Sequence, residues 1–112
     1  MYRFLVCFLV LVTTFSFGQS SEKYNSRLAG FFRAEELFQK EQFSAARYEF
    51  RAFINKEKAS NDPFYIKALY YEGVSAIQLF NNDGVDMLES FIQNYPETIF
   101  KYDVYNRLGN YY

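Results

Sequence analysis

The sequence predicts an all-α fold of helix pairs, two complete and one half, over residues 19–112. Three observations lead there. Beyond residue 18, apolar residues recur at three- and four-residue steps, the spacing that keeps them on one helical face. No long run alternates apolar with polar as a strand would, and no Gly- or Pro-rich linker divides the chain. A residue pattern also returns at a fixed offset, as in repeat architectures. Ala46, Phe50, Phe53 and Ile54 are followed 38 positions later by Gly84, Leu88, Phe91 and Ile92.

Residues 1–18 read as a secretory signal peptide. Arg3 precedes an apolar run from Phe4 to Val12, and the small residues Ser16 and Gly18 follow two apart. Even the generous span Phe4–Phe17 is 14 residues, short of the roughly 20 that cross a bilayer. A cut after Gly18 is expected, leaving Gln19 first. Cys7 sits inside the apolar run behind Val6, so it makes no lipobox. Envelope association is expected without a lipobox. The remaining chain is cysteine-free, with 11 basic and 13 acidic side chains, and would be exported to the periplasm or the outer membrane.

Five helices are expected, near 23–40, 43–57, 63–80, 84–95 and 98–112. Leu28, Phe31, Phe32, Leu37 and Phe38 stripe the first, and Lys40-Glu41-Gln42 makes a tight polar joint after it. Phe43, Ala46, Phe50, Phe53 and Ile54 stripe the second. Asp62 before Pro63 offers an N-cap oxygen and then a residue with no N–H to lose. The third carries Ile66, Leu69, Tyr70, Gly73, Val74, Ile77 and Phe80. Asn81 to Asp83 form a polar break, with Asp83 placed to cap the fourth. Val85, Leu88, Phe91, Ile92 and Tyr95 stripe that helix, and Pro96 ends it.

Composition removes several chemistries. There is no His among 112 residues and only one Cys, so the usual general base and the commonest metal ligand are missing and no Cys-based zinc site can form. A formal charge of −1 lacks the basic footprint that nucleic acid needs. No Gly-rich phosphate loop is present, and no metal or cofactor is expected. The carboxylate pairs Glu35/Glu36 and Asp83/Asp86 fit solvated faces or capping better than acid–base work. Arg47, Arg51, Lys56 and Lys58 interleave with Glu49 and Glu57, which reads as surface pairing along one helix. The 25 aromatic residues fit helix packing, with Tyr70/Tyr71 and Tyr111/Tyr112 as exceptions, since neighbours on one helix point to different faces.

Motif spacing adds a resemblance. Tyr105-x2-Leu108-Gly109-x2-Tyr112 is similar to the tetratricopeptide opening W-x2-L-G-x2-Y, with Tyr105 in the Trp slot. Gly84-x3-Leu88 through Pro96 is similar to its closing half, A-x3-F…P. Leu69-Tyr70-Tyr71-Glu72-Gly73 keeps the glycine but puts Glu72 where Leu is expected, and Ala34 takes the small slot of the first repeat. The phrase Phe91-Ile92-Gln93-Asn94-Tyr95-Pro96 resembles bacterial envelope members of the family, such as the Tol–Pal-associated coordinator and the outer-membrane assembly lipoprotein. Their link into the next repeat is long, as it is here: Gly73 to Gly109 spans 36 residues.

The resemblance implies a right-handed superhelix whose inner face holds a peptide or partner protein. Its inner-face positions fall on Leu28, Phe31, Glu35, Phe38 and Gln39 in the first repeat. In the second they are Lys67, Tyr70, Val74, Ile77 and Gln78, and in the third Asp103, Asn106 and Asn110. The expectation is an exported, non-catalytic scaffold binding other proteins or peptides, and no nucleic acid. Glycan binding is the alternative. Because Tyr112 falls inside a half-motif, the chain reads as the N-terminal part of a longer array.

Overall fold

The computed structural model describes residues 18–58 and 61–111, with side chains over 26–58 and 61–110. They form five helices: α1 (Gly18–Gln39), α2 (Phe43–Glu57), α3 (Pro63–Gln78), α4 (Gly84–Asn94) and α5 (Lys101–Tyr111). No strand occurs among the described residues. The all-α expectation holds. The signal-peptide segment 1–17 lies outside the described residues. None of the described helices is long and apolar enough to cross a membrane.

Local chemistry explains most helix ends. Asp62 caps α3 as expected: its φ is −70° and its carboxylate accepts the Phe64 N–H at 2.8 Å, with Pro63 next. Asp83 does not cap α4. Its backbone is already helical and its carboxylate accepts no capping hydrogen bond, because Arg47 holds it instead. α1 closes through paired bonds, the Gln42 N–H to the Leu37 carbonyl and the Glu41 N–H to Phe38, both 2.9 Å. Glu41 takes φ 60° to allow this. α3 ends likewise, with Asn81 bonded to Ala76 at 2.9 Å, Phe80 to Ile77 at 3.0 Å, and Phe80 at φ 57°. This is a position that glycine usually fills, since only glycine adopts it without a Cβ clash.

Phe80 is 82% exposed, so it gains little from its size to offset that strain. Phe80→Gly is therefore expected to raise stability by up to about 1 kcal/mol, read as a higher denaturant midpoint with unchanged slope. A lower midpoint would show that the ring has a packing role.

Successive helices pack antiparallel. Arg27 meets Glu57 and Phe38 meets Phe43 across α1 and α2. Arg51 meets Glu72 across α2 and α3, and Tyr70 meets Phe91 across α3 and α4. Alternate helices run parallel at a constant step. Phe31 meets Phe64 and Phe38 meets Tyr71, each 33 positions on, and Tyr70 meets Asp103, again 33 on. The 38-residue sequence offset is matched by burial: Phe50 and Leu88 are fully enclosed, and Phe53 and Phe91 nearly so.

One core cluster lies between α1, α2 and α3, built on Leu28, Phe31, Phe50 and Phe53. A second joins α3, α4 and α5 through Tyr70, Val74, Leu88, Phe91 and Val104. Phe38 and Tyr71 touch both. The Tyr70/Tyr71 expectation is therefore corrected. Both rings face inward, because α3 is flanked on both sides: Tyr71 lies between Phe38 and Phe50, Tyr70 between Phe91 and Phe100.

Two glycines set the α3–α4 distance. A Cβ on Gly73 would lie 2.5 Å from Leu88 Cδ2, and one on Gly84 would lie 3.0 Å from the Ile77 backbone nitrogen. Each helix thus offers a notch that the other fills.

Glu72, at the slot where the motif has Leu, is 2% exposed. Arg51 reaches it at 2.5 Å and Arg47 at 3.9 Å. Burial pushes the Glu72 carboxyl above the ordinary range, and the two guanidinium groups only partly offset this. The Arg side chains of α2 thus pair across helices. Glu49 and Glu57 likewise pair with Arg33 and Arg27 of α1, so the expected pairing along α2 is replaced by pairing between helices.

Candidate functional site: an apolar groove beside α3

The link between α4 and α5 makes the site. Tyr95 leaves the helix at φ −133° ahead of Pro96, and the Thr98 N–H returns to the Tyr95 carbonyl at 3.2 Å. The turn sends the next two side chains in opposite directions. Phe100 folds back and stacks on Tyr70, with centroids 4.1 Å apart and planes 7° apart. Ile99 is left 89% exposed. This turn is also why α5 starts at Lys101 and not near residue 98.

Between the link and the first turns of α3 lies an open groove of about 590 Å³. Pro63, Ile66 and Lys67 form one wall, and Tyr95, Pro96, Ile99 and Phe100 the other, with Glu97 and Thr98 at the turn. Lys67 is held by Glu35 at 3.6 Å, with its ammonium 5.9 Å from the centre of the Tyr71 ring. The surface is therefore mainly apolar, with one cation and one carboxylate beside it. Such a cleft suits a side chain or short segment of a partner.

Beneath Phe100 a polar triad ties α3 to α5. The Tyr70 hydroxyl donates to Asp103, which also accepts from Arg107 Nε at 2.7 Å. Burial of Asp103 would raise its carboxyl, but the bonds from Tyr70 and Arg107 outweigh this and hold it below the usual range. Burial, then the Asp103 charge, pushes the Tyr70 phenol up to about 12 from an ordinary 10.0.

A phenol raised on folding stabilises fully below its unfolded value and loses that contribution as pH passes through the folded one. Stability should therefore fall between pH 10 and about 12, and Tyr70→Phe should lack that part of the fall. Denaturant midpoints of the two proteins across this window would check it. Parallel curves would count against the triad.

The expected inner-face residues divide into three groups. Leu28, Phe31 and Val74 are enclosed, and Tyr70 is 6% exposed. These four are corrected to core positions, because the face of α1 and α3 that carries them packs on neighbouring helices. Glu35, Lys67 and Asp103 are half-buried and bonded, while Phe38 and Ile77 pack at the edges of the clusters. Gln39, Gln78, Asn106 and Asn110 are exposed. Of the thirteen, only Lys67 lines the groove. Sequence reasoning missed Ile66, Tyr95, Ile99 and Phe100 as one surface. Its available signal was the stretched link after Pro96.

No family model, no curated protein and no solved structure matches this chain.

Proposed function

We propose that this chain is an exported scaffold of the tetratricopeptide type, acting in the bacterial cell envelope by holding a protein segment in the groove beside α3. The observation that carries this reading is the apolar groove, placed where α3 meets the α4–α5 link. Supporting it, parallel helices recur every 33 positions, close to the 34 of that repeat. Paired small and aromatic slots 38 apart are equally buried, and an apolar leader precedes the helices. In this reading the helix pairs continue as a right-handed superhelix and the groove works by shape, without catalysis. The ligand would present an apolar side chain between Ile66 and Ile99, flanked by charge that meets Lys67 and Glu97.

Displayed-peptide selection on the full chain tests it. Enriched peptides should share an apolar anchor, and Ile66→Asp and Ile99→Asp should each weaken binding about tenfold or more while helicity is kept. Binding unaffected by either change would move the site elsewhere. Saturable shifts with envelope polysaccharides, and none with peptides, would replace the protein ligand by a glycan.

A further inference from the structure

A second cleft lies across α3 from the groove. It opens between the first turns of α2 and the end of α3, with a volume of about 640 Å³. Ser44, Arg47, Tyr48 and Arg51 form one wall, Leu79 and Asn81 the other, and the buried Glu72 lies at its base. Around α3, Glu72 is five residues past Lys67, hence about 140° from that part of the groove wall. No residue of α5 takes part in it.

Charge inside the cleft is already matched. Arg51 gives its Nε to Glu72 at 2.5 Å, and Arg47 approaches the same carboxylate at 3.9 Å while bonding Asp83. Two guanidinium groups thus meet two carboxylates. A bound anion would have to displace one of these, and a bound cation would face both arginines. Hydrogen-bonding capacity is what remains open. Arg51 uses only Nε and is half in solvent, which leaves both Nη groups for a ligand. The Ser44 hydroxyl and the Asn81 side-chain amide carry no hydrogen bond among the described residues.

Beside these groups stand rings that packing does not use. Tyr48 is 76% exposed, and neither its ring nor its hydroxyl has a partner among the described residues. Phe80, between Leu79 and Asn81 in the chain, is 82% exposed and held at φ 57°. A strained backbone that presents a ring to solvent points to a binding role, since the fold gains little from it. Leu79 is the only aliphatic residue of the lining, so an apolar peptide anchor finds little to bury against. Aromatic faces beside charge-matched hydrogen-bonding groups suit a sugar ring. Its C–H faces stack on aromatics, and its hydroxyls both donate and accept.

We propose that this cleft binds a neutral oligosaccharide, with one sugar ring on Tyr48, its hydroxyls bonded to Arg51 and Asn81, and Phe80 at the rim. The site is separate from the groove beside α3 and stands independently of the peptide ligand there.

NMR titration of the full chain with neutral hexasaccharides (α- and β-linked glucans and β-linked N-acetylglucosamine) tests it. At least one should give saturable shifts at millimolar concentration. Tyr48→Ala and Asn81→Ala should each weaken that binding about tenfold or more with helicity unchanged. Phe80→Gly should weaken it too while raising the denaturant midpoint, a pair of effects that a purely structural role for the ring does not give. An oligogalacturonate of the same length, with a carboxylate on each ring, should bind more weakly than the neutral ligand. Peptide binding at the groove should be unchanged by Tyr48→Ala, so the two sites fail separately. No saturable shift with any neutral hexasaccharide, tighter binding of the oligogalacturonate, or binding indifferent to any of the three substitutions overturns the proposal. So does sugar binding lost in Ile66→Asp, which would put the sugar in the groove.

Discussion

Replacing both Arg47 and Arg51 with Met should destabilise the chain by roughly 3–5 kcal/mol, the cost of leaving a buried carboxylate without its partners. Glu72 is 2% exposed and receives Arg51 at 2.5 Å and Arg47 at 3.9 Å. Other contributions of these arginines are smaller. Arg51 is half in solvent, and Arg47 otherwise bonds an exposed Asp83, a kind of pair worth about 0–1 kcal/mol.

The loss should be recovered by adding Glu72→Leu, which removes the charge and places the motif's own residue in the slot. Glu72→Leu with both arginines present should be close to neutral, because the freed guanidinium groups can reach water. The pH dependence has a definite sign. A carboxyl raised on folding opposes stability increasingly as pH rises above its unfolded value of about 4.5. The penalty in the double variant should therefore shrink as pH falls into that range. Denaturant titrations of the four proteins at about pH 4 and about pH 7, below and well above the ordinary Glu value, check all these points. A loss that persists after Glu72→Leu would place the role of the arginines elsewhere.

Gly84→Ala should cost about 1–3 kcal/mol, although alanine is the better helix former. Its Cβ would lie 3.0 Å from the Ile77 nitrogen and 3.1 Å from the Ala76 carbonyl carbon. Both are backbone atoms, so relief requires α3 and α4 to separate. The neighbouring notch behaves differently, since at Gly73 the close atom is the end of the Leu88 side chain. A shifted rotamer can absorb part of that clash, and Gly73→Ala should cost less than Gly84→Ala. Gly30→Ala is the control. Only Arg33 Nη2 lies as near as 4.0 Å, so the gain of up to about 1 kcal/mol expected for a helix interior should appear. Thermal unfolding of the three variants gives the order directly. Equal destabilisation at 84 and 30 would mean that helix separation is not the limiting factor.

The elements that were legible share a property: their signal is local. Asp62-Pro63 caps α3 through a contact two residues long, and Pro96 ends α4 by removing an N–H. The stripe of α4 and its echo in α2 needed only helical periodicity. Apart from the start of α5, which a local turn sets, the misreadings involve a partner distant in sequence. Asp83 looked like a cap, but Arg47, 36 residues away, holds it. Glu72 looked like a defect in the motif, yet α2 brings two arginines to it. Tyr70 and Tyr71 looked unable to share the interior, which holds for a helix packed on one side. α3 is packed on both.

The candidate groove follows the same division. Lys67 was placed on the partner-facing side from its motif position, and the structure puts it on the groove wall. Its neighbours there were not legible, because Ile99 and Phe100 are adjacent and chemically alike. Only the turn after Pro96 sends one out and stacks the other on Tyr70.

By itself, then, the sequence determined that this protein is helical, where most helices stop, and which residues repeat. Those properties rest on hydrogen bonds and periodicity within a few residues. Which apolar residues remain open, which charges lie inside, and where a groove forms were decided only in the tertiary structure. Each depends on what lies across the helix interface, at separations of about thirty residues or more such as the 33 between Tyr70 and Asp103, where local periodicity carries no information.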